Sequence, residues 1–281
     1  MKIIKSSKVL YDELNSLKIN GKSIGFVPTM GYLHEGHIEL IKQARVQNDI
    51  VVLSIFVNPL QFGPNEDFDT YPRDINRDES IAVENGVDFL FYPSVDEMYP
   101  SKPTVTAVVN DKTNVLCGKM RPGHFDGVVT VVTKLFNIVQ PQRAYFGLKD
   151  AQQVAVIHSL ISDFNFPIEL VEVPTVREKD GLAKSSRNVF LDANERIEAV
   201  EISRSLNMAK NMIDNGQYNT SVIKDEIYKS LNKTSGKIDY VEIYSYPELK
   251  EINHIEGKFI IAIALKFSKA RLIDNLIYSL N

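Results

Sequence analysis

Residues 50–57 read IVVLSIFV, an almost wholly apolar run interrupted only by Ser54. A strand with one wet face alternates polar and apolar side chains. A run without alternation suits a strand covered on both faces, as in a parallel sheet flanked by helices. The surrounding chain has the matching rhythm. Strand-like runs recur at residues 24–27, 87–92, 104–109, 143–146 and 168–173. Helical periodicity fills most of the gaps, over residues 36–47, 73–85, 127–139 and 151–163. This alternation predicts a Rossmann-like α/β architecture, a parallel sheet with crossover helices.

Residues 127–139, GVVTVVTKLFNIV, are rich in β-branched side chains, which favour strands. Their apolar positions, 128, 129, 131, 132, 135, 136, 138 and 139, nevertheless form one broad helical stripe. The spacing predicts a buried helix. Beyond Pro174 the texture changes. LDANERIEAVEISRSLNMAKNMIDNG reads as a long helix, opened by an Asp192–Glu195 capping box and stopped at Asn215-Gly216. A helix at 221–232 and strands at 238–246 and 258–267 follow. The organisation expected is a nucleotide-binding domain over residues 1–176 and a smaller C-terminal α+β domain over residues 177–281.

Composition narrows the function. The formal net charge is −4, with acidic and basic residues interleaved, unlike the basic face of a nucleic-acid binder. Cys117 is the single cysteine, which excludes an internal disulfide and a cysteine-built metal site within one chain. The first ten residues lack the apolar core of a signal peptide. The longest apolar runs, such as 259–265, fall far short of the ~20 residues a membrane helix needs. A soluble cytoplasmic protein without nucleic-acid or membrane partners is the expectation.

The chemistry concentrates first in PTMGYLHEGH, residues 28–37. Phe26 and Val27 close the first strand and Ile38 begins a helical face, so this is a strand-to-helix turn. In open parallel sheets ligands bind beyond the carboxyl ends of the strands, where helix N-termini offer N–H groups to anions. Glycines there let backbone approach a phosphate. Neither G-x-G-x-x-G nor G-K-[ST] is present. His34 and His37 lie three apart around a glycine, not four apart as in the H-E-x-x-H zinc pattern, and no third ligand is near. Two plain surface histidines are an alternative. Two imidazoles beside a helix N-terminus would suit the charge that builds on a departing pyrophosphate.

Other stretches add compatible groups. AKSSRN, residues 183–188, offers two hydroxyls and a guanidinium for phosphate oxygens, or a turn with a surface arginine. Asn58 and Gln61 follow the buried strand at its ligand-facing end, unless Asn58-Pro59 simply turns the chain. Asp150 and Gln153 are spaced as a D-x-x-Q capping box, which would compete with a ligand role. His158 and His254 read as structural.

Taken in order, PTMGYLHEGH, FVNPLQFGPNEDFDTYPRD, RPGHFDGVVTVVTKLFNIVQP, YFGLKDAQQ and REKDGLAKSSRN resemble the pantothenate synthetases. These are the AMP-forming pantoate–β-alanine ligases of the H-x-G-H nucleotidyltransferase superfamily. AKSSRN stands where that superfamily carries a loop related to K-M-S-K-S. The likeness covers most of residues 24–190, and RLIDN near the C-terminus also fits.

The resemblance implies that pantoate's carboxylate attacks the α-phosphate of ATP, giving pantoyl adenylate and pyrophosphate. The amine of β-alanine then displaces AMP. It implies catalytic roles for His34, His37, Lys149 and Arg187, with His37 hydrogen bonding or donating a proton to the pyrophosphate. Met30, Gly147, Asp150, Val176, Lys184, Ser185 and Ser186 would join them around ATP, Lys184 standing where the family usually has an apolar residue. Pro28, Met30, Asn58, Gln61, Arg121 and Gln153 would surround pantoate. Asp78 would contact Mg2+, although a solvated helix face explains it as well, and His124 would be structural. A homodimer is also implied, and the need to keep water from a reactive adenylate predicts that the C-terminal domain closes over the site as a lid. The rivals are a nucleotidyltransferase acting on a phosphate ester, which would call for basic residues where Asn58 and Gln61 stand, and a nucleotide binder without chemistry.

Overall fold

The computed structural model describes residues 1–64, 66 and 68–280. Its contacts gather into two compact units. The first comprises Met1–Thr113, Cys117–Leu148 and Val156–Pro174, and the second Asn114–Leu116, Lys149–Ala155 and Thr175–Asn281.

The strands of the first unit are β1 (Lys2–Ile4), β2 (Ile24–Thr29), β3 (Ile50–Ile55), β4 (Phe89–Phe91), β5 (Arg143–Gly147) and β6 (Glu169–Val173). They form a parallel sheet in the order β1-β4-β3-β2-β5-β6. The helices of this part of the chain are α1 (Ser7–Ile19), α2 (Glu35–Gln47), α3 (Ile75–Glu84), α4 (Val95–Met98), α5 (Leu116–Met120), α6 (His124–Val139) and α7 (Ala151–Asp163). The apolar β3 is central, as its lack of alternation requires, and Val51, Leu53 and Ile55 pack with Leu40, Ile41 and Ala44 of α2.

The run at 127–139 is helical, as its stripe predicts, and Val128, Val129, Val131, Val132, Leu135, Phe136 and Val139 are buried. Residues 104–109 form no strand. Instead, side chains of α6 hold this segment: Ala107 N–H donates to Thr130 Oγ1 at 3.1 Å, and Val109 N–H to Asp126 Oδ1 at 2.9 Å. With its N–H groups met from a helix, β-branched composition alone does not make a ladder. The edge strand β1 gave no pattern to read, since only Ile4 of its three residues is buried.

The sheet opens where the site is expected. Chain order reverses around β2, so the switch point lies between β2 and β5. β2 pairs with β3 as far as Thr29 with Ile55, and β5 with β6 as far as Gly147 with Val173. Between β2 and β5, however, only Gly25–Phe26 and Arg143–Ala144 pair. Pro28 explains the stop. Ser23 and Thr29 carbonyls accept from Ile50 and Phe56 on the β3 side, whereas Ile24 carbonyl accepts from Gln142 on the β5 side. By alternation Pro28 faces β5, and it has no N–H with which to continue that ladder.

The second unit holds an antiparallel sheet, β7 (Lys237–Ser245), β8 (Lys258–Lys266) and β9 (Arg271–Ser279), in that order. Its helices are α8 (Ala193–Glu198), α9 (Val200–Asp214) and α10 (Thr220–Leu231). The long helix expected from Asp192 onward is therefore two. Its start and stop are as read: Asp192 accepts from Glu195 N–H at 2.9 Å while Glu195 accepts from Asp192 N–H at 3.1 Å. Gly216, at φ +88°, closes the end. Between them Ile202 N–H reaches back only three residues, to Ala199 carbonyl, a local tightening that divides the helix. Along β8 alternate residues face opposite ways. Phe259, Ile261, Ile263 and Leu265 pack with α9 and α10, and Ile260 and Ala262 with Ala151 and Ala155.

Candidate active site

The turn after β2 is held from three directions. Thr29 Oγ1 donates to Ser54 carbonyl at 2.8 Å and accepts from Gly31 N–H at 3.2 Å. Gly31 and Tyr32 follow in the left-handed region, at φ +84° and +51°. A side chain on Gly31 would put its Cβ 2.8 Å from Ile55 Cγ2. Asp78 fixes the next peptides, accepting from Tyr32 N–H and Leu33 N–H, each at 2.7 Å. Asp78 is only 1% exposed, so it is not the solvated face considered from sequence. Burial raises its pKa, opposed by those two N–H bonds. With one backbone N–H on each oxygen, Asp78 anchors the turn. Among the described residues no group of three His, Cys, Asp or Glu side chains is arranged to hold a metal.

α2 then begins with a capping box made of histidines. His34 Nδ1 accepts from Gly36 N–H at 3.1 Å, and His34 N–H donates to His37 Nδ1 at 3.2 Å. Neutral imidazole has one donor and one acceptor nitrogen, so acceptance at Nδ1 puts the proton on Nε2 in both rings. The rings lie 4.1 Å apart between centroids and are partly exposed. Gly36 lets the His34 ring lie close, since a Cβ there would stand 2.8 Å from its Cε1 and displace the ring. The arrangement places two Nε2–H donors at a helix N-terminus, a setting for anionic oxygen.

Beyond β3 the amides form a wall. Asn58 is 1% exposed and all of its hydrogen-bonding capacity is taken. It donates to Gln61 Oε1 at 3.2 Å and Gly127 carbonyl at 3.0 Å, and accepts from Leu60 N–H at 3.3 Å and Tyr99 hydroxyl at 2.9 Å. These four bonds tie Asn58 into the framework that joins the Gln61 turn to α6. Gln61 continues the chain, its Nε2 donating to Met30 Sδ at 3.1 Å. Met30 also lines a largely apolar cavity of about 290 Å3, together with Ile55, Phe56, Phe68 and Tyr92.

Arg121 forks onto Glu66, with Nε 2.9 Å from Oε1 and Nη2 on Oε2. Burial would raise the Glu66 pKa, but the Arg121 bonds and charge hold it below the ordinary value. His124 Nδ1 lies 2.7 Å from Gln61 carbonyl and its Nε2 lies 3.0 Å from Arg121 Nη1. His124 is thus structural, as expected, and locks Arg121 to the Gln61 turn.

Gly147 ends β5 facing open space, since a Cβ there would meet nothing within 4 Å. Packing does not demand this glycine. Lys149, Asp150 and Gln153 belong to the second unit. Asp150 lies inside a helical turn, Leu148–Asp150, that runs directly into α7. It therefore does not cap the helix as the D-x-x-Q spacing suggests. Its carboxylate lies 3.8 Å from Lys149 Nζ, and Gln153 is partly exposed in the first turn of α7.

Residues 176–188 fold back on themselves in the same unit. Arg177 bridges Ala183, Lys184 N–H donates to Val176 carbonyl at 2.9 Å, and Gly181 turns the chain at φ +98°. Ser185 accepts from Arg187 N–H at 3.2 Å and so opens the short helix Ser186–Phe190. Lys184 Nζ lies 4.0 Å from Glu178. Lys149 and Ser185 line one small cavity of about 10 Å3, together with Asn188 and Asp274. Sequence reading marked the RLIDN stretch that contains Asp274 but gave this carboxylate no role. A charged residue inside an apolar strand, two positions after Leu272, was the signal.

Comparison with known proteins gives a consistent result. The family model for pantoate–β-alanine ligase matches residues 2–277. The pantothenate synthetase of Bacillus mycoides (strain KBAB4) is 60% identical over 277 residues, 98% of each chain. That of Geobacillus sp. (strain WCH70) is 62% identical over 264 residues, 94% of each. The crystal structure of pantothenate synthetase from Thermus thermophilus superposes with a TM-score of 0.93 at 43% identity, covering 98% of this chain and 99% of that one. Pantoate–β-alanine ligase from Francisella tularensis, crystallised with β-γ ATP and β-alanine, gives 0.81 at 38% identity, covering 99% and 97%. The fold, the ordered motifs and the full-length matches agree: this chain belongs to the pantoate–β-alanine ligase family.

Proposed function

We propose that this protein condenses pantoate with β-alanine at the expense of ATP, releasing AMP and pyrophosphate through a pantoyl-adenylate intermediate. Family membership supports the overall reaction. The histidine capping box is the observation that carries the mechanism. Pantoate's carboxylate is already ionised at neutral pH, so the first step needs no general base. It needs in-line positioning and donors for charge developing on the leaving pyrophosphate. His37 and His34, with their protons on Nε2, supply such donors at a helix N-terminus whose own dipole favours anions.

Lys149, Arg187, Ser185 and Ser186 add cationic and hydroxyl groups for the phosphates. Gly147, Asp150, Val176 and Lys184 border the nucleotide in this reading. Pantoate meets Pro28, Met30, Gln61 and Gln153, with Arg121 reaching it once released from Glu66. Mg2+ would accompany ATP, held mainly by phosphate oxygens and water with one or two carboxylates, Asp78 being the acidic position the resemblance offers. Residues 177–281 act as the lid that keeps water from the adenylate, and the enzyme works as a cytoplasmic homodimer.

In the second step the β-alanine nitrogen forms the amide bond as the acyl–phosphate C–O bond breaks, and the AMP oxygen takes that electron pair. One oxygen of pantoate therefore leaves with AMP. Pantoate labelled with 18O in its carboxylate should yield AMP carrying one label, read by mass spectrometry. Unlabelled AMP formed alongside pantothenate would rule out the adenylate.

A further inference from the structure

Asp274 and Asn275 lie in the middle of β9, where apolar and β-branched side chains are the rule and charge is disfavoured. Asp274 is nonetheless 4% exposed. Successive strand residues project to opposite faces of a sheet. On one face, Leu272 and Leu276 join the core formed with α9 and α10, and Asp274 shares their parity. On the other face, Ile277 packs with Ala151 and Ala155, and Asn275 shares its parity. Two neighbouring polar side chains thus reach two different pieces of chain.

Asp274 takes the guanidinium of Arg177 in a fork, with Nη1 at 2.5 Å from Oδ2 and Nη2 at 3.0 Å from Oδ1. Arg177 Nη1 also donates to Gly181 carbonyl at 3.1 Å, so the guanidinium held by Asp274 also ties down the turn of the folded-back loop that leads into Ser185, Ser186 and Arg187. Asn275 Nδ2 donates to the carbonyl of Lys149 at 3.0 Å. Just beyond, the first turn of α7 packs through Ala151 against Tyr246, Ile260 and Ala262 of the same sheet unit. Burying a carboxylate is costly unless it is paired and hydrogen-bonded, and here the pairing is spent on a loop that carries phosphate-binding groups.

We propose that Asp274 and Asn275 are positioning residues, which hold the Lys149 segment and the Ser185-Ser186-Arg187 loop at a fixed spacing from opposite faces of β9. They touch no reactant themselves. The inference rests on the reading that Lys149 and Arg187 bind ATP's phosphates. Its consequence is that the cationic half of the phosphate grip moves as one piece, with a strand as its frame.

The test compares Asp274→Asn, Asn275→Ala and Arg177→Lys with the wild type, in the full chain. Arg177→Lys keeps the charge and loses the fork. Pantoate-dependent pyrophosphate exchange should fall about 10-fold in Asn275→Ala and about 10- to 100-fold in the other two, with the ATP half-saturation point rising. Pantoate half-saturation should shift less than about threefold, since the contacts disturbed are those to ATP's phosphates and not those to pantoate. Hydrogen exchange without ligands provides the second readout. Amides of residues 176–188 should exchange faster in Asp274→Asn and those of 149–151 in Asn275→Ala, while the sheet cores stay protected. Folded variants with exchange rates and ATP saturation within about twofold of wild type would overturn the proposal. So would faster hydrogen exchange spread evenly over the chain, the mark of a plain stability loss. A wild type that lacks pyrophosphate exchange would instead refute the ATP reading, and hydrogen exchange would still decide the coupling.

Discussion

His37 performs two tasks that substitution can separate. Its Nδ1 accepts from His34 N–H at the start of α2, the part that Glu or Gln takes in an ordinary capping box. Gln at this position can keep the cap while removing the imidazole donor. His37→Gln should therefore melt within a few degrees of wild type but lose about 100-fold or more in adenylation. A folded His37→Gln enzyme with near-normal turnover would remove the imidazole from the mechanism. Asp78 poses the opposite case. Removing its carboxylate leaves two buried N–H groups without acceptors, so Asp78→Ala should cost about 2–4 kcal/mol in urea unfolding. If Asp78 were instead a magnesium ligand, the variant would keep its stability and demand more Mg2+ for activity. Glu66 gives a pH signature. Its pKa is lower in the folded state than the ordinary 4.5, so its pairing with Arg121 contributes fully above that value and is lost as pH falls through the depressed one. Compared with Glu66→Gln, the wild type should lose its stability advantage between about pH 4.5 and the lower value. An advantage independent of pH in that window would contradict the pairing.

At the scale of elements, strong periodicity was legible and isolated geometry was not. β3, α6 and α7 could be read because burial on all sides or on one stripe writes a continuous pattern. Residues 104–109 misled because strand composition does not reveal whether a neighbouring strand exists. β9 escaped because Asp274 and Asn275 interrupt its apolar pattern, and those two side chains serve contacts far away in sequence. The candidate site divides the same way. HEGH announced itself through two histidines, but its cap geometry needed coordinates, as did the saturation of Asn58 and the diversion of Arg121 to Glu66. Gly127 joins packing to the site: a Cβ there would stand 2.3 Å from Leu60 carbonyl and 2.6 Å from Gln61 Cα. Both are backbone contacts, so Gly127→Ala should cost about 1–3 kcal/mol and raise the pantoate half-saturation point through displaced Gln61. Unchanged pantoate saturation in this variant would detach Gln61 from the substrate.

Across the whole molecule, a parallel sheet whose β2–β5 ladder is cut short by Pro28 presents a histidine-capped helix at its switch point. The antiparallel unit gathers Lys149 and the 176–188 loop around β9. In the proposed reaction each arrangement supplies donors set in place before negative charge builds on phosphate. The most direct test is exchange of labelled pyrophosphate into ATP without β-alanine. Exchange that appears only when pantoate is present would establish reversible pantoyl-adenylate formation by this chain. Folded protein that binds ATP yet shows no pantoate-dependent exchange would contradict the account.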